Sequence, residues 1–266
     1  GGSVTSIGNS AFRECTGLTS ITIPDSVTSI GNYAFRDCTG LKSITIPDSV
    51  TSVDTGAFYG CTGLTSVTIG NGATNIGTHA FFGCTNLMRV TLGNGAKNIG
   101  KCAFWKCTSL TSVTIGNGTK SIDDVVFGDC YNLTDITIPD SVESISGTAL
   151  SDTAWYDNQP NGLVYAGQVF FKYKGRMPSN TSVTLREGTL GISDDACLNC
   201  YGLTSITIPD SVTNIRSRAF SYCTRLTSIT FNGTKAQWNT ITKDSSWNSN
   251  TGNYTIHCTD GDIPKQ

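Results

Sequence analysis

Apolar and polar positions recur along this chain on a fixed beat. The pattern I-G-x-x-A-F-x-x-C-T-x-L-T-S-I-T-I-P-D-S-V-T-S begins at Ile7 and restarts every 23 residues, at Ile30, Val53, Ile76, Ile99 and Ile122. Within a unit, Leu18, Ile21 and Ile23 end in period-2 alternation, which puts alternate side chains on one face of a short strand. Equivalent strand centres fall at Ile44, Val67, Val90, Val113, Ile136, Val183, Ile206 and Ile229, which predicts about nine coils. The next residues are turn formers, either Pro-Asp-Ser (from Pro24, Pro47, Pro139 and Pro209) or Gly-Asn-Gly (from Gly70, Gly93 and Gly116). Proline presets φ beside an Asx side chain, and glycine leaves φ free. A second apolar pair, Val27 and Ile30, returns the chain. The segment Gly-x-x-Ala-Phe-x-x-Cys then predicts one helical or 3₁₀ turn, with Phe12 and its equivalents in the core.

One such coil cannot bury its own apolar side, so coils must stack into a quasi-linear array. The predicted fold is therefore a β-rich repeat solenoid with a parallel sheet on one face and short helical or 3₁₀ turns on the other. The array spans residues 1–230. The opening Gly1-Gly2-Ser3-Val4-Thr5-Ser6 matches the tail of a coil, which predicts a preceding coil and a longer precursor.

The beat breaks once. Between Ile145 and Ile192 the spacing widens to 47 residues, and the extra segment lies at about 154–180. It carries Trp155, Tyr156, Leu163-Val164-Tyr165 and Val169-Phe170-Phe171-Lys172-Tyr173 around Ala166-Gly167-Gln168, a β-hairpin pattern turning at Gly167. Insertions in repeat proteins map to loops on one face, often the binding face. The alternative is that these aromatics pack back on the solenoid flank as a buttress. After Thr230 the pattern changes to a cap, 231–266. Thr234-Lys235-Ala236-Gln237 is a capping box opening a helix that carries Trp238 and Ile241, and the strand 254–258 follows.

Composition removes several classes of function. The formal net charge is −2, which provides no electrostatic footprint for nucleic acid or an anionic membrane. No apolar run approaches the ~18 residues needed to span a bilayer. Eleven cysteines suggest a disulfide framework until they are placed on the repeat. Eight of them (Cys15, Cys38, Cys61, Cys84, Cys107, Cys130, Cys200 and Cys223) share one position. Parallel neighbours stack ~4.8 Å apart with side chains pointing the same way, whereas a disulfide needs facing Cβ atoms about 3.8 Å apart. The expectation is a ladder of buried free thiols.

The strand and turn L-T-S-I-T-I-P-D-S-V-T-S-I-G-x-x-A-F-x-x-C-T resembles the BspA-like leucine-rich repeats of bacterial surface proteins, and the resemblance covers nearly the whole chain. It places the fold in the α/β leucine-rich repeat class. It implies an extracellular or cell-surface location, adhesion to a protein or glycan partner, and no catalytic residues.

The residues themselves offer few sites for chemistry. Cys197 and Cys200 have CxxC spacing, but Cys197 fills the repeat's Phe slot and no second pair or in-phase histidine accompanies it, so no metal is expected. His79 and His257 lie in distant coils, which excludes a Ser-His-Asp or Cys-His arrangement. No cofactor is implied, no catalytic residue is assigned, and the chain reads as a monomer and not an enzyme. The outward strand row from Thr22 to Thr230 is threonine in every coil, which reads as β-propensity with cross-strand hydroxyl ladders. Regular threonine ranks also order water, but leucine-rich repeat sheets curve, which spoils a flat ice-binding lattice. Variation is concentrated elsewhere. The residue after the core Phe is Tyr59, Phe82 and Trp105 in three successive coils, and Met88 and Arg89 interrupt the uniform strand side. Exposed contiguous aromatics often mark partner sites, while the competing reading is that they shield the flank. The candidate partner-binding residues are therefore Tyr59, Phe82, Trp105, Met88, Arg89, Trp155, Tyr156, Tyr165, Phe171 and Tyr173. The expected function is a non-enzymatic extracellular interaction module binding a protein or glycan. The alternative is a structural spacer of a larger surface protein with no ligand of its own.

Overall fold

A computed structural model describes residues 4–265, so Gly1, Gly2 and Ser3 of the opening tail lie outside the described residues. The described residues form two compact units, one made of residues 4–142 and 148–158, the other of 143–147 and 159–265. Both are built from stacked β-solenoid coils.

In the first unit the coils from the second onward contribute two short parallel strands each, whereas residues 18–23 of the first coil, read as a strand from their alternation, form none. The longer ones, Ser43–Ile46, Ser66–Ile69, Arg89–Leu92, Ser112–Thr114 and Asp135–Thr137, pair in a register that keeps the repeat intact. Ile44 faces Val67, Val67 faces Val90, Val90 faces Val113, and Val113 faces Ile136. A second ladder of two-residue strands runs from Ser6–Ile7 through Ser29–Ile30, Ser52–Val53, Asn75–Ile76 and Asn98–Ile99 to Ser121–Ile122. Alternation along the longer strands reads exposed, buried, exposed, buried, as the period-2 pattern requires.

The third side of the coil differs from expectation. In place of a helical or 3₁₀ turn, Gly-x-x-Ala-Phe-x-x-Cys makes two successive turns, with Tyr33 and Asp37 at φ 55° and 58° in one coil. Every second amide closes its own turn, as Ala34 N–H to Gly31 O (3.2 Å) and Cys38 N–H to Phe35 O (3.2 Å). The intervening amides donate to the next coil, Tyr33 N–H to Thr55 O (3.0 Å), Phe35 N–H to Ala57 O (2.7 Å) and Asp37 N–H to Tyr59 O (2.7 Å). A helix would direct all these donors along its own axis and leave the neighbouring coil unbonded. Stacking therefore replaces helical bonding with a third inter-coil ladder. Turn packing is equally tight. A Cβ at Gly72, Gly95 or Gly118 would lie 1.8, 1.9 or 1.7 Å from a carbonyl oxygen of the preceding coil's turn, so a side chain there would force these Gly-Asn-Gly turns to shift.

Down the middle of the unit, Phe12, Phe35, Phe58, Phe81, Phe104 and Phe127 stack with ring centroids 5.0, 5.0, 5.0, 5.2 and 5.7 Å apart and planes within 8°. Beside them runs the thiol ladder. All eleven cysteines are free, and every buried rung thiol except Cys200 donates to a main-chain carbonyl of the preceding coil. Cys38 reaches Phe12 O at 2.9 Å, Cys61 reaches Phe35 O at 3.0 Å, and Cys107 reaches Phe81 O at 3.3 Å. The sulfur thus serves as a small apolar filler that also satisfies a buried carbonyl.

The second unit repeats this plan around a core running from Phe170 to Ile256. The insertion folds as expected into a hairpin, Gly162–Ala166 antiparallel to Val169–Lys174, with Gly167 at φ 58°. Its second strand then pairs in parallel with Gly191–Ile192 and becomes a rung of the short-strand ladder. At the other end, Thr242–Lys243 extends the short ladder beside Asn214–Ile215, and Thr255–Cys258 extends the long one beside Ser228–Phe231. These additions raise the expected nine coils to about eleven turns. Helix Lys235–Thr240 carries the capping box, with the Thr234 hydroxyl accepting from Gln237 N and the Gln237 side chain accepting from Thr234 N at 2.8 Å. Trp238 packs edge-on against Phe231 (5.3 Å) and Trp247 (6.1 Å), and all three are buried.

Candidate interaction surface

The uniform strand face is made of short polar side chains. Thr45, Thr68, Thr91 and Thr114 are exposed, and the row from Thr22 to Thr230 makes no side-chain hydrogen bond among the described residues. Cross-coil hydroxyl bonds do exist, but on flanking rows. Thr51 donates to Thr28 O (3.0 Å), Thr74 to Thr51 O (3.1 Å), and Thr111 to Met88 O (3.1 Å). On the sheet face itself the paired Ser205 and Ser182 hydroxyls bond at 2.7 Å, so the expected ladder runs beside the threonine row and not along it.

Departures from uniformity assemble on the turn side of the first unit. Stacking by one coil brings Tyr59, Phe82 and Trp105 into a continuous ladder, all three half-buried. Tyr59 lies 4.5 Å from Phe82 with planes 15° apart, and Phe82 meets Trp105 edge-on at 5.3 Å. Cations close both ends. The Arg36 guanidinium sits 5.1 Å from the Tyr59 ring, and the Lys106 ammonium 5.4 Å from the Trp105 ring. Trp105 Nε1 donates to Asp129 Oδ2 at 3.1 Å, and the exposed Tyr131 hydroxyl donates to the same carboxylate. His79 packs edge-on against Phe82 at 5.6 Å, and burial, helped by the Lys101 charge, pushes its pKa down. Arg36, Lys106, Asp129 and His79 are members that sequence reading missed, and their positions on the same beat were the available signal.

The remaining candidates separate. Met88 is 48% exposed and Arg89 is exposed beside it, on the strand side of the same unit. Trp155 and Tyr156 form the short helix Ala154–Asp157, half-buried, with Trp155 N–H bonded to Leu133 O at 2.7 Å. Tyr165 and Tyr173 are half-buried against the core of the second unit, and Tyr165 is covered by the Arg186 guanidinium at 4.5 Å. Phe171 is fully buried and belongs to no surface. On the hairpin's second strand Val169, Phe170 and Phe171 are buried, while Tyr165 and Tyr173 keep part of their surface exposed.

Thiol chemistry follows burial. Desolvation raises Cys61 to about 12 and holds Cys84 and Cys107 well above the ordinary thiol value. In the CxxC pair a mutual hydrogen bond holds Cys200 below that value and Cys197 above it. The aspartates Asp194 and Asp195 are held by Arg216 (2.7 Å) and Arg218 (2.8 Å). Among the described residues no group of three or more His, Cys, Asp or Glu side chains could hold a metal ion, and no helix is long and apolar enough to cross a membrane.

Parallel coils, an apolar strand-and-turn repeat and a cysteine rung define a leucine-rich repeat solenoid. The family profile described as "BspA type Leucine rich repeat region" matches in six copies over residues 2–74, 54–174 and 158–265, and the chain belongs to that family. No curated protein matches it. Among solved structures it is similar to a leucine-rich repeat protein of Bacteroides ovatus, with 27% identity, 86% of this chain covered and a TM-score of 0.46. The chain spans 64% of that protein's length. A leucine-rich cell surface protein of Faecalibacterium prausnitzii is 30% identical over 91% of this chain and 80% of its own, with a TM-score of 0.38. The pneumococcal vaccine antigen PcpA is 17% identical, covering 81% of this chain and 71% of its own, with a TM-score of 0.40. The family has the architecture of a repeat scaffold suited to protein interaction.

Proposed function

We propose that this chain is a non-enzymatic interaction module working at the cell surface or outside the cell, and that the aromatic ladder of its first unit docks a protein partner. The carrying observation is the surface-accessible run Arg36, Tyr59, Phe82, Trp105 and Lys106, three aromatic rings stacked from coil to coil with a cation over the ring at each end. Protein-binding hot spots are enriched in Trp, Tyr and Arg, and a ladder held by inter-coil stacking is preorganised, which lowers the entropy cost of binding. Surface display is suggested by the family and by the cell-surface description of the Faecalibacterium relative, and adhesion by the family alone. Met88 and Arg89 extend the non-uniform chemistry of the same unit.

The test is a pull-down of extracellular matrix and cell-surface proteins with the whole chain and with a Tyr59→Ser, Phe82→Ser, Trp105→Ser variant. The reading expects captured protein to be lost in the variant while the melting temperature stays nearly unchanged. Clean negatives with the unmodified chain would favour the spacer reading. A large fall in melting temperature would assign the ladder to the core.

A further inference from the structure

Five arginines lie in the second unit, and three of them are committed. Arg216 and Arg218 pair with Asp194 and Asp195, and Arg186 covers Tyr165. The other two, Arg176 and Arg225, are exposed and make no ion pair or hydrogen bond among the described residues. Both line one cleft of about 580 Å³, whose walls include no Asp or Glu. That volume falls within the ~300–1,000 Å³ typical of small-ligand sites.

The cleft is built from departures from the repeat. In the segment Cys-Thr-x-Leu the third position is Gly, Asn or Ser in every other coil (Gly40, Gly63, Asn86, Ser109, Asn132), but here it is Arg225. One coil earlier the Thr position is Tyr201, as it is Tyr131 in the first unit; Tyr201 is 56% exposed and its hydroxyl donates to Asn199 Oδ1 at 3.1 Å. Asn199 stands at φ 60°, which orients that acceptor. Tyr173 and Arg176 come from the end of the inserted hairpin and complete the wall. Gly202 lets the loop after the hairpin approach closely, since a Cβ there would lie 2.0 Å from Pro178 O.

We propose that this cleft binds an acidic oligosaccharide, with Arg176 and Arg225 receiving its carboxylate or sulfate and Tyr201 and Tyr173 receiving a sugar face. Two planar guanidiniums without acidic neighbours suit bidentate recognition of an oxyanion. The tyrosine rings offer flat apolar faces with a polar edge, which matches the amphipathic surface of a pyranose. The wall also carries hydroxyl and amide groups, from Ser179, Thr224 and Asn199, that exchange hydrogen bonds with sugar hydroxyls. This site is separate from the aromatic ladder and stands independently of it.

The experiment is calorimetric titration of the whole chain with four probes: trigalacturonate, a heparin-derived tetrasaccharide, maltotriose and pentaglutamate. Binding of at least one acidic sugar is expected, none of maltotriose, and weakening as salt shortens the ~10 Å screening length of 0.1 M buffer. The Arg176→Gln, Arg225→Gln double variant should bind about tenfold or more weaker, the loss of charge-assisted hydrogen bonds. Tyr201→Thr, which restores the repeat residue at an exposed position, should weaken binding by a smaller factor without lowering the melting temperature. The Tyr59, Phe82, Trp105 serine variant should keep full sugar binding, so failure of the ladder reading and failure of this one are distinct. Trigalacturonate binding alone would identify the carboxylate as the recognised group, and tetrasaccharide binding alone the sulfate; either supports the site. Absence of binding to both acidic sugars, undiminished binding by the double variant, or equally tight binding of pentaglutamate would each overturn it.

Discussion

The phenylalanine stack makes a position-dependent prediction. Phe81 is fully buried, with Phe58 on one side at 5.0 Å and Phe104 on the other at 5.2 Å, so Phe81→Ala removes a ring with two parallel partners. Phe→Ala in a core costs ~3–5 kcal/mol, and each aromatic contact is worth about 0.5–1.5 kcal/mol beyond area, so the upper half of that range is expected. Phe12 is half-buried and touches only Phe35 in the stack, at 5.0 Å. Losing one ring contact and part of the transfer free energy predicts about 1–2 kcal/mol for Phe12→Ala. The assay is urea unfolding followed by circular dichroism, with hydrogen exchange locating the damage. Because contacts run only between adjacent coils, lost protection in Phe81→Ala should centre on the Phe58, Phe81 and Phe104 coils and fade with distance. Equal destabilisation by the two substitutions, or uniform loss of protection along the unit, would refute nearest-neighbour stacking as the source of stability.

Further outcomes follow from the thiols, turns and terminus. Cys61, Cys130 and Cys223 have thiols raised by burial from 9.0 to about 12, so folding favours their neutral form. Their contribution is fully present below pH 9 and is lost as pH rises towards 12; equilibrium unfolding should show a fall over that window, shallower in Cys61→Ala. Native iodoacetamide labelling read by mass spectrometry should modify exposed Cys15 first and leave Cys84 and Cys107 unmodified until the chain unfolds. Val125 is a β-branched residue at φ 55°, so Val125→Asn should raise stability by about 1 kcal/mol in thermal unfolding. Truncation after Thr230 removes buried Phe231, Trp238, Ile241, Trp247, Tyr254 and Ile256, and should yield a product that aggregates on size-exclusion chromatography.

The sequence by itself determined the coil. Alternation at Ile21 and Ile23, the 23-residue beat and the single cysteine position demand parallel stacking, because a coil with one apolar side is stable only against its neighbours. The hairpin at Gly167 and the capping box at Thr234 were equally legible, since each is local turn or cap chemistry. Tertiary structure decided whatever depends on which donors and faces meet across coils. Amides that could close a helical turn bond instead to the next coil, so Tyr33 and Asp37 take left-handed φ and no helix forms. The hairpin's second strand pairs with Gly191–Ile192 through Val169 and Phe170, and the next residue, Phe171, is fully buried, so an expected contact residue is core. Stacking joins Arg36 and Lys106 to the aromatic ladder, and packing of the insertion end against later coils brings Arg176 to Arg225. Periodicity along a chain fixes which residues share a face. Only the packed coils decide which of those faces closes over the core and which stays open to solvent.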